Sequence, residues 1–396
     1  MNSQRIISQR FLLSGSVFLF LSAFMLMIAE PVLSQDIILA DRGVSQYRIV
    51  IPSSPVPDEN RAAEVFQDYF LQITGAALPV ISADKNGKGV PYEIILGQNE
   101  RLDRLGIEIN FNELGEDGFI IRTDSLRLII AGGSKKGTLY GVYTFLEKYL
   151  DCRMYSPEVK LVPEKERIIL GKISDIQVPA IRYRTIHYRA TWDQEYADWH
   201  KLSHDAHGER TAWGLWVHTF NHLVPPDIYF RDHPEYYALR DGRRIPTQLC
   251  LTNSDVLRIT VQNLRKDMAK NPDALYWSVS QNDNTAHCMC EQCQALDRQE
   301  GSPSGSMISF VNRVAEHFPE KIISTLAYQY TRQAPLNLRP LDNVNIMLCS
   351  IEMRRDMPFA EATDPVSRAF VKDVEDWSKI AKDIIVWDYV IQFSNL

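Results

Sequence analysis

The sequence predicts an α/β protein: a small N-terminal α/β sandwich followed by a (β/α)8, TIM-type barrel that stops before its last βα unit. Three observations carry this expectation. Strand and helix patterns alternate along most of the chain, the strand rhythm changes near Pro179, and seven later apolar runs each end in polar or ionisable residues. The composition is that of an ordinary globular chain: 396 residues, 45% hydrophobic and 23% charged, long enough for two domains. A formal charge of −7 carries no electrostatic signature of nucleic-acid binding.

Residues 1–34 read as a signal peptide. Arg5 and Arg10 form a basic n-region, Phe11 to Ala29 an apolar h-region, and Val32-Leu33-Ser34 a small-residue cleavage signal. No cysteine lies near that site, so a lipoprotein anchor is not expected. The mature protein is expected to be exported, periplasmic or extracellular, without a stable membrane span. An apolar run of this length retained as an anchor is the alternative.

Residues 35–175 read as the N-terminal α/β domain. YRIVIP is a strand, and Glu59 to Gln72 is an amphipathic helix with Ala62, Val65, Phe66, Tyr69 and Phe70 on one side, stopped by Thr74-Gly75. YEIILG is a strand, GFIIRT and LRLIIAG pair as a hairpin, and Lys136 to Tyr149 is a second helix. Residues 176–396 read as the barrel. Its strands are IRYRTIHYR, GLWVHTFNH, QLCLT, LYWSVSQND, KIISTLAYQY, NVNIMLCSIE and DIIVWDYV. Helical patterns lie between several of them, at Ser254 to Lys270, Ser304 to His317 and Pro365 to Lys382. Asn253 or Ser254 and Asp364-Pro365 supply helix starts. The chain reaches Leu396 just after the seventh strand, so the reading expects a fragment whose barrel lacks its eighth strand.

These residues carry a resemblance. AAEVFQDYFLQITGAALPV, YEIILG, GFIIRT and GTLYGVYTFLEKYLDCRMYSP resemble the N-terminal domain shared by family 20 β-hexosaminidases and family 67 α-glucuronidases. From His218 onward the chain is similar to the bacterial domain-of-unknown-function family 4838, regarded as glycoside-hydrolase-like. The marks are HTFNHLVPPDIYFRDHPEYYALRDGRR, QLCLTN, SVSQNDNTAHCMCEQC, FVNRVAEHFPEKIISTLAYQYT and WDY. The resemblance implies a carbohydrate-active enzyme and leaves the sugar open. Family 20 enzymes carry an Asp-Glu pair after the corresponding strand. This chain has Asn282-Asp283, so acetamido-assisted chemistry is not implied.

The chemistry follows independently from the strand ends. Glycoside cleavage needs one carboxylic acid to protonate the leaving oxygen and a second carboxylate as base or nucleophile, roughly 5–10 Å away. Acids at the ends of different barrel strands converge at such separations. Asp283 after the fourth strand is the expected general acid, Glu352 after the sixth the base or nucleophile, and Asp388 on the seventh the reserve. Each also reads as a capping or salt-bridged acid. The Asp283–Glu352 separation is expected in the inverting range, with apolar surroundings raising the pKa of Asp283. His187, His218, His222, Asn282, Tyr328, Gln329, Trp387 and Tyr389 complete the expected sugar site, as stacking rings and hydrogen-bonding groups at strand ends. A non-catalytic carbohydrate-binding barrel is one alternative. A metal-dependent hydrolase using His187, His218, His222 and Asp283 is another, weakened because residues i and i+4 do not meet on a strand.

Catalysis of this kind needs no cofactor. Cys250, Cys288, Cys290 and Cys293 nevertheless form a candidate structural zinc site, with His287 as an alternative ligand. Export favours disulfides and the CxCxxC spacing favours metal, so both readings stay open. Cys152 and Cys349 read as ordinary buried thiols.

Overall fold

The computed structural model describes residues 36–83, 90–203 and 213–389, so the signal-peptide reading of residues 1–34 lies outside the described residues. The N-terminal strands are β1 (Ile37–Asp41), β2 (Arg48–Ile51), β3 (Val80–Ser82), β4 (Glu93–Leu96), β5 (Phe119–Asp124), β6 (Arg127–Gly132), β7 (Arg167–Leu170) and β8 (Ser174–Gln177). Six of them form one mixed sheet in the order β8-β5-β6-β4-β2-β3, and β1 pairs with β7. The helices α1 (Pro57–Thr74) and α2 (Gly137–Tyr149) cover one face. Pro57 presets the first turn of α1, the Glu59 carboxylate accepts from the Val56 N–H, and left-handed Gly75 ends the helix. Every residue of β4 is buried because Ile94 and Leu96 face the two helices while Ile95 packs on the other side with Leu102, Ile107 and Leu114. At Gly132 a β-carbon would lie 2.0 Å from the backbone of Gly137, so only glycine lets α2 start this close to β6.

The short helix α3 (Gln194–Trp199) belongs to this same layer. Trp199 is buried between Tyr69 and Tyr143, at 5.7 and 5.3 Å between ring centroids. Lys136 pairs with Asp198 at 2.8 Å, and Tyr69 donates to Glu195 at 2.7 Å. The chain therefore returns to the first sheet before the second begins.

The second sheet is parallel and five-stranded. It is made of β9 (Trp213–Leu215), β12 (Tyr276–Ser278), β13 (Ile322–Ala327), β14 (Val344–Cys349) and β15 (Asp383–Trp387), in that order. Between the first two comes an antiparallel hairpin of β10 (Tyr237–Arg240) and β11 (Arg243–Leu249). The crossovers carry α4 (Ser254–Lys270), α5 (Glu291–Glu300), α6 (Ser304–Ala315) and α7 (Pro365–Ile380). Asn253 caps α4 by accepting from Asp255 and Val256, and Asp364 caps α7 by accepting from Ser367.

Strand alternation sorts the side chains. Trp277, Ile323, Ile346 and Leu348 pack outward with Leu264, Phe310, Phe370 and Trp377 of the helices. Trp213, Tyr276, Leu326, Tyr328, Met347 and Cys349 point to the other face, with Trp387 and Tyr389 beside them. That inner face is strongly curled. A flat sheet would hold its edge strands β9 and β15 roughly 19 Å apart. The Trp216 and Trp387 rings at those edges are nevertheless 5.6 Å apart.

No barrel closes among the described residues. Two strand expectations are corrected. IRYRTIHYR pairs in no strand; it runs along the inner face, where Arg182 donates to Tyr276 Oη at 2.6 Å and Tyr183 packs on Trp213. QLCLT is not a barrel strand, because Asp241-Gly242, both with positive φ, folds it back on Tyr237–Arg240 as a hairpin.

Candidate functional site

The carboxyl ends of β12, β13, β14 and β15 build a rim. At its centre stands Tyr328, directly after β13. Its hydroxyl donates to Asp283 Oδ1 at 3.2 Å and accepts from Gln329 Nε2 at 3.0 Å. Burial first, then the nearby charges of Asp283 and Glu352, push this phenol up to about 12, so it stays a proton donor at neutral pH. His218 packs edge-on against the same ring, at 6.1 Å between centroids. Its Nδ1 lies 2.7 Å from the Gln281 carbonyl, which can only accept, so Nδ1 carries the proton. When the imidazole is neutral, Nε2 is therefore its acceptor. His218 and Gln329 both have positive φ, 60° and 50°, and such strained non-glycine residues cluster at functional sites.

The three expected carboxylates are all exposed on this rim. Asp283 is held by Tyr328 alone among the described residues and does not sit in an apolar pocket. That expectation is corrected because the chain turns outward into solvent after Asn282. Glu352, in the loop after β14, accepts from Arg332 Nη1 at 3.1 Å, and Arg332 Nε also donates to Asp373 of α7 at 2.7 Å. Asp388, after β15, accepts from Ser350 Oγ at 2.7 Å. Tyr328 thus lies within electrostatic reach of Asp283 and Glu352, and Tyr389 within reach of Asp283.

Beside the carboxylates lies a tier of rings. His187 stacks on Trp387 at 5.8 Å and touches Trp216 at 6.1 Å, and Trp387 stacks on Tyr389 at 5.9 Å. Although IRYRTIHYR is no strand, its course along the inner face brings His187 to the rim. Trp216 and Arg332 belong to this candidate site and were not read from the sequence. The signal for Trp216 was its place two residues before His218 in the run GLWVHTFNH.

Two expected sugar ligands are engaged elsewhere. His222 lies on a short helix, not a strand end, and its Nε2 faces Asp267 of α4 at 2.7 Å. A cluster of His187, His218, His222 and Asp283 is therefore not assembled. Asn282 is buried and saturated: its Nδ2 donates to Asn221 Oδ1 and the Thr247 carbonyl, both at 2.8 Å, and its Oδ1 accepts from the Asn221 N–H. Gln248 clamps the same residue, accepting from its N–H at 3.0 Å and donating to its carbonyl at 2.7 Å. Asn282 fixes the loop from which Asp283 projects. A cavity of about 550 Å³ near Asn99, Leu102 and Phe111 shares no residue with this rim.

Behind the rim, the sulfurs of Cys250, Cys288, Cys290 and Cys293 all lie within 4.8 Å of one another. They are the group among the described residues able to hold a metal ion. His287 is not among them; it stacks on Tyr330 instead. Hydrogen bonds from Cys288 and Cys293 hold the Cys250 thiol far below its ordinary range, and the same sharing pushes Cys293 up. Cys152 and Cys349 are buried, and burial pushes their thiols up to about 11 and about 12.

Fold and site define an α/β protein with a polar and aromatic rim at the carboxyl edge of a parallel sheet, the place where such proteins bind ligands. The chain belongs to the family described as Domain of unknown function (DUF4838), whose family model matches residues 154–396. Residues 45–145 match the Glycosyl hydrolase family 67 N-terminus, so the family resemblance read from the sequence holds. Among curated proteins, none matches the chain. Among solved structures it is similar to a family GH115 4-O-methyl-alpha-glucuronidase with specificity for decorated arabinogalactans, at 12% identity over 89% of this chain and 55% of that one, TM-score 0.43. Flavobacterium johnsoniae chitobiase aligns at 13% identity over 89% and 57%, TM-score 0.47. Streptomyces plicatus beta-hexosaminidase aligns at 11% identity over 89% and 71%, TM-score 0.44. The chain spans little more than half the length of the glucuronidase and the chitobiase.

Proposed function

We propose that this chain is an exported carbohydrate-active enzyme, a glycoside hydrolase that uses two carboxylates and no catalytic metal. What supports the reading is that Asp283 accepts from the Tyr328 hydroxyl while Glu352, held by Arg332, leaves the end of another strand on the same carboxyl rim. Asp283 is assigned as general acid. Tyr328 orients its Oδ1 and leaves Oδ2 to face the glycosidic oxygen. Glu352, fixed by Arg332, acts as base or nucleophile, and Asp388 stands in reserve. Trp387, Tyr389, Trp216 and His187 offer ring faces on which a sugar can stack. His218 and Gln329 supply hydrogen-bonding groups beside them. Export rests on the basic, apolar and small-residue order of residues 1–34. Among the described residues no helix is long and apolar enough to cross a membrane.

The test is a screen of the full chain against aryl glycosides and uronic-acid-bearing oligosaccharides. Release of the aglycone or of a reducing end from one substrate class is expected. Saturable sugar binding with no bond cleavage in any class would replace the enzyme reading with that of a carbohydrate-binding protein.

A further inference from the structure

We propose that Cys250, Cys288, Cys290 and Cys293 form a closed tetrathiolate zinc site that staples the β10–β11 hairpin to the loop carrying Asp283. Zinc bonds of about 2.3 Å place the four sulfurs of a tetrahedron about 3.8 Å apart. Cys250 Sγ and Cys290 Sγ are 3.7 Å apart, and all four sulfurs lie within 4.8 Å. The ligands come from two segments separated in sequence: Cys250 follows β11, and the other three flank the start of α5. Three of the four are buried, and no water position is needed to complete the shell, as in structural rather than catalytic zinc sites.

The surroundings offer hydrogen-bond donors to sulfur. The Leu239 N–H donates to Cys288 Sγ at 3.4 Å, and the Arg244 guanidinium lies 3.9 Å from the same atom. The Thr252 hydroxyl is 3.4 Å from Cys293 Sγ and 3.6 Å from Cys250 Sγ. Such partners orient thiolate ligands, and the arginine offsets one of the two negative charges that remain when four thiolates bind one Zn²⁺. Loading displaces the protons that the four sulfurs still carry and breaks no other bond.

The site is placed to hold the rim. Gln248, two residues before Cys250, grips Asn282 and Asn284 through its side-chain amide. Cys288 follows Asp283 by five residues. Fixing both ends of this short circuit fixes the loop from which Asp283 projects. The staple contains none of the three expected carboxylates, so it stands independently of the glycosidase reading.

The experiment is metal analysis of the purified full chain, with cobalt substitution during expression as a second measurement that requires no variant. One zinc per chain is expected, lost in Cys250→Ser and Cys290→Ser. The cobalt form is expected to show thiolate-to-cobalt charge-transfer bands and tetrahedral ligand-field bands. Stripping the metal should lower the melting temperature by at least about 5 °C. Asp283→Asn should keep its zinc, which separates failure of the site from failure of the catalytic assignment. A chain without stoichiometric zinc whose four cysteines are paired as disulfides by mass spectrometry would overturn the proposal. So would iron in place of zinc, or a cobalt form without thiolate bands.

Discussion

Tyr328 is the residue through which the rim is organised, since its hydroxyl holds Asp283 and its ring packs on His218. Tyr328→Phe keeps the ring and deletes the hydrogen bond. One such bond is worth about 1 to 1.5 kcal/mol, so kcat is expected to fall about tenfold with little change in melting temperature. Steady-state kinetics on the best substrate from the screen checks this, and an unchanged kcat would remove Tyr328 from the mechanism. The rim positions of Tyr328, Asp283 and Glu352 were legible in the sequence because each comes within a few residues of a strand's carboxyl end. Arg332 was not legible. It falls in an irregular turn, and its partners Glu352 and Asp373 are 20 and 41 residues away, a pairing that only the packed fold creates. Asn282 was legible as important but misread in kind, since its saturated hydrogen bonds make it a clamp.

At the scale of elements, two contacts test how the second sheet is held. A β-carbon at Gly214 of β9 would lie 2.3 Å from the indole of Trp277, which is buried against the helices. Gly214→Ala should therefore cost about 1–3 kcal/mol, read as a lower denaturant midpoint at unchanged slope. The pair of His222 and Asp267 ties the loop after β9 to α4. Burial alone would raise the Asp267 carboxyl, but hydrogen bonds from His222 and Lys270 outweigh it and hold the group below the usual carboxylate range. A depressed folded pKa stabilises the fold above the unfolded value, and that contribution disappears as pH falls through the folded value. His222→Ala should thus flatten the acid limb of the melting profile between about pH 5 and pH 2, which thermal melts at a series of pH values will show. An acid limb unchanged in the variant would mean that the pair contributes nothing. The five helices read from the sequence were legible to within a few residues, helped by local caps such as Asn253 and Asp364. The hairpin was missed although Asp241-Gly242 announces it. The run QLCLT looks like a buried strand, and its antiparallel partner Tyr237–Arg240 lies outside the strands read from the sequence.

At the scale of the whole molecule, function depends on curl. Asp283 and Glu352 leave strands separated by β13, and Trp216 and Trp387 leave opposite edges of the sheet. Asp283 and Glu352 share the carboxyl rim of the parallel sheet, and curvature brings the rings of Trp216 and Trp387 together from its two edges. The sequence predicted parallel strands with helices on the crossovers but carried no signal of how far the sheet closes, because closure depends on pairing between edges remote in the chain. IRYRTIHYR, expected as one of those edges, contributes rings and an arginine to the inner face and no strand hydrogen bonds. The most direct test of the central claim compares Asp283→Asn, Glu352→Gln and Asp388→Asn on a substrate with a poor leaving group, with ligand affinity measured in parallel. Asp283→Asn and Glu352→Gln should each lower kcat by about a thousandfold or more while binding changes little, and Asp388→Asn should have a far smaller effect. Full activity in Asp283→Asn would contradict the assignment.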